Sequence, residues 1–105
     1  MIIYNTTFCI EMTSVDQFRD WLSVFYLPLI RQSGYFENYK LLKIHHQQDP
    51  ELINYSCQLS AKTINDSQLF KVEYEDKVAN HLQSTFGEKC LLFSTTLEMV
   101  EEMEI

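Results

Sequence analysis

Residues 2–12, "IIYNTTFCIEM", decide the fold, because their side chains alternate between two faces in the way that side chains alternate along a β-strand. The more apolar face carries Ile2, Tyr4, Thr6, Phe8, Ile10 and Met12. The opposite face carries Ile3, Asn5, Thr7, Cys9 and Glu11. The alternation predicts a strand that packs Tyr4 and Phe8 into a core and turns Asn5 and Thr7 away from it.

A helix is predicted directly after this strand. Ser14 and Gln17 have the spacing of a capping box, in which each side chain bonds to the backbone amide of the other residue. The apolar residues that follow recur every three or four positions, as on the buried side of a helix: Val15, Phe18, Trp21 or Leu22, Phe25 and Leu29. We expect Pro28 to kink or loosen the last turn and Gly34 to end the helix.

The rest of the chain predicts a hairpin, a second helix and a last strand. "YKLLKIHH" (39–46) and "LINYSCQLSA" (52–61) flank a polar turn in which Pro50 suits the first central position. The second helix is predicted to begin near Asn65 or Asp66 and to end at Gly87. Its buried stripe is Phe70, Tyr74, Val78, Leu82 and Phe86. "EKCLLFSTTLE" (88–98) reads as the last strand, and an acidic tail follows.

The predicted order is therefore β-α-β-β-α-β, which is typical of an α+β fold of the ferredoxin-like kind: one four-stranded antiparallel sheet with two helices on one face. We expect one domain over residues 1–98 and an acidic tail over residues 99–105, which is either a solvated end or a segment that docks on a partner.

Composition limits the class of function. The net charge of −7 repels phosphate backbones and anionic membranes, so neither nucleic acid nor a membrane is an expected partner. Three widely spaced cysteines form neither a disulfide framework nor a zinc motif, which favours reduced thiols in the cytoplasm. Three Asn-Xaa-Ser/Thr triplets, at Asn5, Asn54 and Asn65, are then not expected to carry sugar. No cofactor or metal is expected.

The sheet face that no helix covers, called the open face here, is predicted to be polar. Strand parity assigns to it Asn5, Thr7, Cys9, Lys43, His45, Asn54, Ser56 and Gln58, with Ser94 and Thr96 as further candidates. A surface that meets water or a partner is the favoured interpretation. The sharper one is a homodimer that holds a pocket between two open faces, with a dimer interface of Asn5, Thr7, Asn54, Ser56 and Gln58.

Two groups of residues are candidates for chemistry or binding. Cys9 is a candidate nucleophile if His45 lowers the pKa of its thiol, although a packed thiol is favoured. His45 and His46 are adjacent on a strand and so point to opposite faces, which argues against a shared metal. Tyr4, Trp21 and Phe25 are the candidate wall of a ligand cavity between sheet and helices.

The chain also resembles a small bacterial family of domains of unknown function found mainly in Bacteroidetes. The resemblance rests on "IIYNTTFCIE" (2–11), "GYFENYKLLKI" (34–44) and "FGEKCLLFSTTLEMVEE" (86–102), and covers nearly the full chain. The positions that carry it are Tyr4, Asn5, Thr7, Trp21, Gly34, Phe36, Phe86, Gly87, Lys89, Phe93, Thr96 and Glu98. This resemblance implies no known activity.

At the level of the fold the family is similar to the dimeric α/β-barrel proteins, in which two ferredoxin-like subunits pack sheet against sheet. That group includes cofactor-free monooxygenases, haem-degrading enzymes and isomerases, but a shared fold is only an analogy for function. The haem-degrading members use Asn, Trp and His. Asn5, Trp21 and His81 supply these residue types, yet the surrounding motifs differ and the roles are not transferred.

The interpretation that the sequence favours is a cytosolic homodimer that forms an α/β barrel and binds a small organic ligand without catalysis. One alternative is a cofactor-independent monooxygenase or isomerase that uses His45 or Cys9. The other is an acidic protein-interaction module that binds through its tail.

Overall fold

The strands and helices follow one another as the sequence predicts. The computed structural model describes residues 1–45 and 49–105. The strands are β1 (Ile2–Glu11), β2 (Phe36–Ile44), β3 (Leu52–Ala61) and β4 (Cys90–Glu98). The helices are α1 (Val15–Trp21), a π-helical segment (Leu22–Tyr26), α2 (Leu27–Ser33) and α3 (Ile64–Phe86), with short 3₁₀ turns at Met12–Ser14 and Gly87–Lys89. The four strands form one antiparallel sheet in the order β2-β3-β1-β4, which confirms the ferredoxin-like fold.

β1 lies inside the sheet, where it pairs with β3 on one side and β4 on the other. Its side chains alternate between buried and half-buried along its whole length, which matches the predicted period of two. Tyr4 and Phe8 are buried beneath the helices, whereas Asn5 and Thr7 lie on the open face. The predicted facing is therefore confirmed for residues 2–11, whereas Met12, which was expected on the buried face, is exposed in the 3₁₀ turn that follows the strand.

The first helical region does not begin with the predicted capping box. Ser14 stands at the N-cap of α1 with φ −107° and ψ 6°, and its side chain makes no capping hydrogen bond. A capping side chain needs an extended backbone at that position, but here the chain enters the helix through a tight 3₁₀ turn that buries Ser14. The expected end at Gly34 is confirmed, because Gly34 has φ 73°, a conformation that glycine adopts without strain.

Pro28 changes the hydrogen bonding of this region without ending it. Proline has no N–H to donate, so the regular ladder cannot pass through it. The chain responds with a π turn, in which the Leu27 N–H reaches the carbonyl of Leu22, five residues earlier. Helical structure continues to Ser33, and the core side of residues 15–33 carries Phe18, Trp21, Leu22, Tyr26, Leu29 and Ile30.

α3 covers the other half of the sheet. It begins at Ile64, slightly before the predicted start, because the Thr63 hydroxyl accepts a hydrogen bond of 3.1 Å from the backbone N–H of Asp66. The buried residues of α3 include four members of the predicted stripe: Phe70, Val78, Leu82 and Phe86. None of the helices in the described parts of the chain is long and apolar enough to cross a membrane.

The turn between β2 and β3 has the predicted chemistry. The Leu52 N–H donates to the Asp49 carbonyl at 3.2 Å, and the Glu51 N–H donates to the Asp49 carboxylate at 2.9 Å. Pro50 therefore occupies the first central position of the turn. The predicted direction of His46 concerns a residue outside the described ranges.

The predicted facing of β2 is wrong, and a bulge explains why. Phe36 pairs with Ala61 but Asn38 pairs with Ser60, so Glu37 is an extra residue that faces no partner. Beyond this bulge the facing is the reverse of the predicted one: Lys43 aligns with Tyr55 on the helix side, whereas Leu42 aligns with Ser56 on the open face.

The predicted facing of β4 is also wrong. Ser94 and Thr96 align with Thr6 and Tyr4 of β1, and both therefore lie on the helix side of the sheet. The other parity places Leu91, Phe93, Thr95 and Leu97 on the open face. The alternation of residues did not predict the buried face of β4 correctly, because both of its faces contain apolar residues.

Candidate functional site

The open face consists of a polar centre between apolar margins. The two inner strands, β1 and β3, contribute Asn5, Thr7, Cys9, Asn54, Ser56 and Gln58. The margins come from the two outer strands: Leu91, Phe93 and Leu97 of β4, and Leu42 and Ile44 of β2. The face is therefore less polar than the sequence predicts, because the margins carry large apolar side chains where Lys43, Ser94 and Thr96 were expected.

The polar centre is already hydrogen-bonded within the protein. The Ser56 hydroxyl donates to the Asn5 side-chain oxygen at 2.5 Å, and the Asn5 amide donates to the Thr7 hydroxyl at 3.5 Å. Residues opposite each other in the register bring these groups together, since Asn5 pairs with Gln58 and Thr7 with Ser56. Covering this cluster is less costly than covering unpaired polar groups.

The margin on β4 is exposed to an unusual degree. Leu91, Phe93 and Leu97 have 64%, 63% and 44% of their surface accessible, and all three lie on the same face of one strand. Single exposed apolar residues are common on soluble proteins, but three of them on one face of one strand, interrupted only by Thr95, are typical of an interaction surface.

The open face carries almost no charge. Among the strand residues that the structure describes, the register assigns only Glu11 and Lys40 to it as charged side chains, and Glu11 stands at the end of its strand. The protein as a whole has a net charge of −7. The negative charge is therefore concentrated elsewhere, chiefly on the helices and the tail.

Cys9 and His45 are not brought together. His45 follows the last residue of β2, and β3 lies between β2 and β1, so the two strands are about 10 Å apart. The bulge reverses the parity of β2, so the expectation that His45 shares the open face with Cys9 loses the strand alternation on which it rested. Burial, and secondarily Asp49, raises the pKa of the Cys9 thiol, which is the opposite of what a nucleophile needs.

Two of the three predicted ligand-wall residues lie together, and the third does not. Trp21 and Phe25 are neighbours, with ring centres 5.4 Å apart. Tyr4 instead packs against Phe36 and Phe70. Its hydroxyl donates to the Glu75 carboxylate at 2.6 Å, and burial together with this bond raises its pKa well above the usual range. The residues expected to wall one cavity therefore belong to two separate aromatic contacts.

Trp21 and Phe25 share a third partner that the sequence did not assign to the site, His81 of α3. The Trp21 indole N–H donates to His81 Nδ1 at 2.9 Å, and the Phe25 ring stacks on the imidazole with centres 3.7 Å apart and planes 7° apart. The sequence contained only the residue types, because nothing in it fixes how two helices are juxtaposed. Asn5 lies on the open face, across the sheet, so Asn5, Trp21 and His81 form no common set.

A buried group of hydroxyls and a thiol lies between sheet and helices. The Thr6 and Ser94 hydroxyls share a hydrogen bond of 2.9 Å, and burial raises the pKa of the Cys57 thiol to about 12. A pair of hydroxyls bonded to each other and a protonated thiol stabilise a core without reacting. Within residues 1–45 and 49–105, no three His, Cys, Asp or Glu side chains are grouped as metal ligands would be.

Comparison with solved structures supports the fold. A dimeric ferredoxin-like protein from an uncultured marine organism is similar with a TM-score of 0.68 at 12% identity, over 100% of both chains. A Deinococcus radiodurans protein named as a candidate antibiotic biosynthesis monooxygenase has a TM-score of 0.68 at 15% identity, over 100% of this chain and 98% of its own. A Bacillus halodurans protein described as an "ethyl tert-butyl ether d (ethd) family protein" has a TM-score of 0.66 at 16% identity, over 95% of this chain and 100% of its own.

Comparison of sequences identifies a family. None of the curated proteins compared with the chain is significantly similar to it. Residues 1–100 match a family model described as "Domain of unknown function (DUF4286)".

Proposed function

The chain belongs to the DUF4286 family, and from the geometry of its sheet we propose that it is a homodimer in which two open faces pack together as an α/β barrel and enclose a small organic ligand. The observation that carries the proposal is the exposed apolar row on β4, Leu91, Phe93 and Leu97. Burying these side chains against a second copy removes apolar surface from water, which is the main driving force of stable association.

The distribution of charge supports a second copy as the occupant. Two chains that each carry −7 repel one another, so they can associate closely only through a surface with little charge. The open face is such a surface, because Lys40 and Glu11 are its charged strand residues among those described. A two-fold axis through the face would let each copy present the same patch to the other.

The arrangement of polar and apolar residues supports a ligand between the sheets. In a face-to-face pair, the apolar margins would meet and seal the edges, whereas the centres with Asn5, Thr7 and Ser56 would face each other across the middle. Amide and hydroxyl groups in an otherwise apolar enclosure are typical of small-molecule sites, where they fix the orientation of the ligand. The predicted interface residues Asn54 and Gln58 belong to the same centre.

The fold comparison adds support at a coarser level. One of the similar structures is described as a dimeric ferredoxin-like protein, and it matches this chain over its full length. Its dimer is a property of that protein, and at 12% identity it contributes to the proposal only through the shared fold.

The test is the molecular mass in solution. We expect light scattering after size-exclusion chromatography to give twice the chain mass of 12.5 kDa at micromolar concentration. Phe93→Asp should give a monomer, because it places a charge in the centre of the apolar margin. Val72→Asp is the matched control: Val72 is 85% exposed on α3, on the helix side of the molecule, and its substitution should leave the dimer intact.

A monomer at high micromolar concentration would contradict the proposal, and so would a dimer that survives Phe93→Asp. If the dimer forms, mass spectrometry of the native protein should detect a retained small molecule that Phe93→Asp loses. Catalysis by a cofactor-independent monooxygenase or isomerase remains the alternative proposal. Its candidate groups, Cys9 and His45, lie on or beside strands that do not adjoin, so no specific observation favours it.

A further inference from the structure

The helix layer carries a second concave surface, which is distinct from the open face. It is a shallow groove of about 410 Å³ between the first helical region and α3, and it is lined by Gln17, Asp20, Trp21, Val24, Phe25, His81 and Thr85. The groove lies across the sheet from the proposed dimer interface, so each copy would keep its own. Its volume lies within the range of sites that take molecules of one or two rings.

The imidazole of His81 is held in one orientation and one tautomer. The Trp21 N–H occupies the lone pair of Nδ1, and a neutral imidazole with a free lone pair on Nδ1 carries its hydrogen on Nε2. Stacking on Phe25 fixes the plane of the ring. His81 lines the groove, and in this tautomer its Nε2–H is a hydrogen-bond donor while Nε2 has no lone pair to offer to a metal ion.

The π-helical segment forms one wall of the groove. Val24 and Phe25 belong to it, and Trp21 directly precedes it. π-helical turns are rare and occur frequently at functional sites. In this chain the segment brings Phe25 onto the imidazole while the next residue, Tyr26, stays fully buried in the core.

The chemistry of the walls defines the ligand. Trp21, Val24 and Phe25 supply an apolar surface suited to a flat ring, and His81 supplies one fixed N–H. Asp20 at the rim and the net charge of −7 disfavour an anion. The ligand that suits these walls is therefore an uncharged ring that carries a hydrogen-bond acceptor.

We propose that this groove binds a small, uncharged aromatic molecule whose carbonyl or phenol oxygen accepts a hydrogen bond from His81 Nε2–H. The proposal goes beyond the sheet-face dimer and does not depend on it.

The probe is 2-acetylnaphthalene, a flat aromatic ketone, titrated into the ¹⁵N-labelled full chain. The chain has one Trp, so one indole N–H resonance reports directly on the groove. We expect this resonance to shift saturably. 2-Ethylnaphthalene, which lacks the acceptor, should bind about tenfold more weakly, the order of effect of one hydrogen bond. No shift up to the solubility limit, or equal binding of the two molecules, would overturn the proposal.

Two variants locate the site. His81→Ala removes the donor and should weaken binding of the ketone to the level of 2-ethylnaphthalene. Val24→Asp adds a carboxylate at a position that is 78% exposed, so the fold is kept while binding of both molecules falls. Val72→Ala on the outside of α3 is the control and should bind as the parent does. Binding that neither groove variant alters would place the ligand elsewhere and refute the assignment.

The tautomer has its own readout. In the free protein, the ¹⁵N shifts of His81 should be those of an imidazole with an unprotonated Nδ1 and a protonated Nε2. The opposite tautomer would leave Nε2 without a hydrogen to donate, and this result would contradict the proposal. Because Phe93→Asp should leave ketone binding unchanged, failure of this site and failure of the dimer can be told apart.

Discussion

At the scale of single residues, the buried side chains of β1 and of the first helix are held by partners that lie far away along the chain. Tyr4 and Phe8 had to face the core because a strand has only two faces and one of them was clearly more apolar. The bond from Tyr4 to Glu75 joins residues 71 positions apart, and the bond from Trp21 to His81 joins residues 60 apart. Such pairs depend on how the helices dock on the sheet, which no local pattern encodes.

The Tyr4–Glu75 bond gives a residue-scale prediction. Tyr4→Phe removes a buried donor and should lower the free energy of unfolding by about 1–2 kcal/mol, measured by urea denaturation. Tyr35→Phe is the matched control, because Tyr35 donates to Glu73 at 2.7 Å in an exposed position where water replaces the bond. Equal losses in the two variants would mean that burial does not strengthen the Tyr4 bond.

At the scale of elements, the sequence predicted which helices and strands form. It was less successful with the capping residues of the helices and with the face to which each strand residue points. Each helix has a clear apolar stripe and each strand an apolar run, so the order followed from periodicity. The capping residues were misjudged, because a cap depends on the backbone conformation before the helix as well as on residue type. The predicted facings of β2 and β4 were wrong for two separate reasons. β2 contains an extra residue, and β4 has apolar side chains on both faces.

The caps of the two helical regions give a prediction at the scale of elements, because the residue with the better capping motif in the sequence is not the one that caps its helix in the structure. Thr63→Ala deletes the hydroxyl that accepts from the Asp66 N–H and should destabilise the protein by about 1 kcal/mol. Ser14→Ala should cost less, although Ser14 begins the better sequence motif, because its side chain makes no capping bond. Thermal unfolding monitored by circular dichroism would measure both. A larger loss for Ser14→Ala would indicate that the capping box forms in solution.

At the scale of the whole molecule, each broad side of the sheet carries a candidate site. The open face combines apolar margins with a bonded polar centre, and the helix layer carries the groove at His81. The sequence predicted the first in outline, because polar residues alternate along the inner strands. It could not predict the second, since Trp21, Phe25 and His81 come from two helices whose docking is a property of the folded chain.

Thiol reactivity gives a prediction at this scale. Cys57 and Cys90 are buried, whereas Cys9 is half-buried on the open face, so native protein should react with iodoacetamide chiefly at Cys9. In the proposed dimer a second copy covers this thiol, so we expect the rate of alkylation to rise on dilution into the monomer range. Phe93→Asp should react fast at all concentrations, and Cys9→Ser should lose the reaction. A rate that does not change while the dimer dissociates would place the interface elsewhere.

We expect the acidic tail to contribute little to the stability of the domain. Residues 99–105 have no regular secondary structure, and their apolar side chains, such as Val100 and Met103, are exposed. Deleting residues 100–105 should therefore change the free energy of unfolding by less than about 0.5 kcal/mol. A larger loss in a denaturation experiment would mean that the tail packs on the domain. A tail that binds another protein is the remaining proposal for its role.

The bulge in β2 has a consequence for insertions and deletions along the chain. Phe36 faces the helices, Asn38 faces away and Glu37 stands between them as a residue without a counterpart. Removing Glu37 would restore simple alternation and leave the facing of every later β2 residue unchanged, at the loss of one exposed ion pair with Lys62. Removing a single residue between Asn38 and Lys43 would invert part of the strand and exchange its two surfaces. Loss of one codon is thus tolerable at one position of this strand and disruptive at its neighbours.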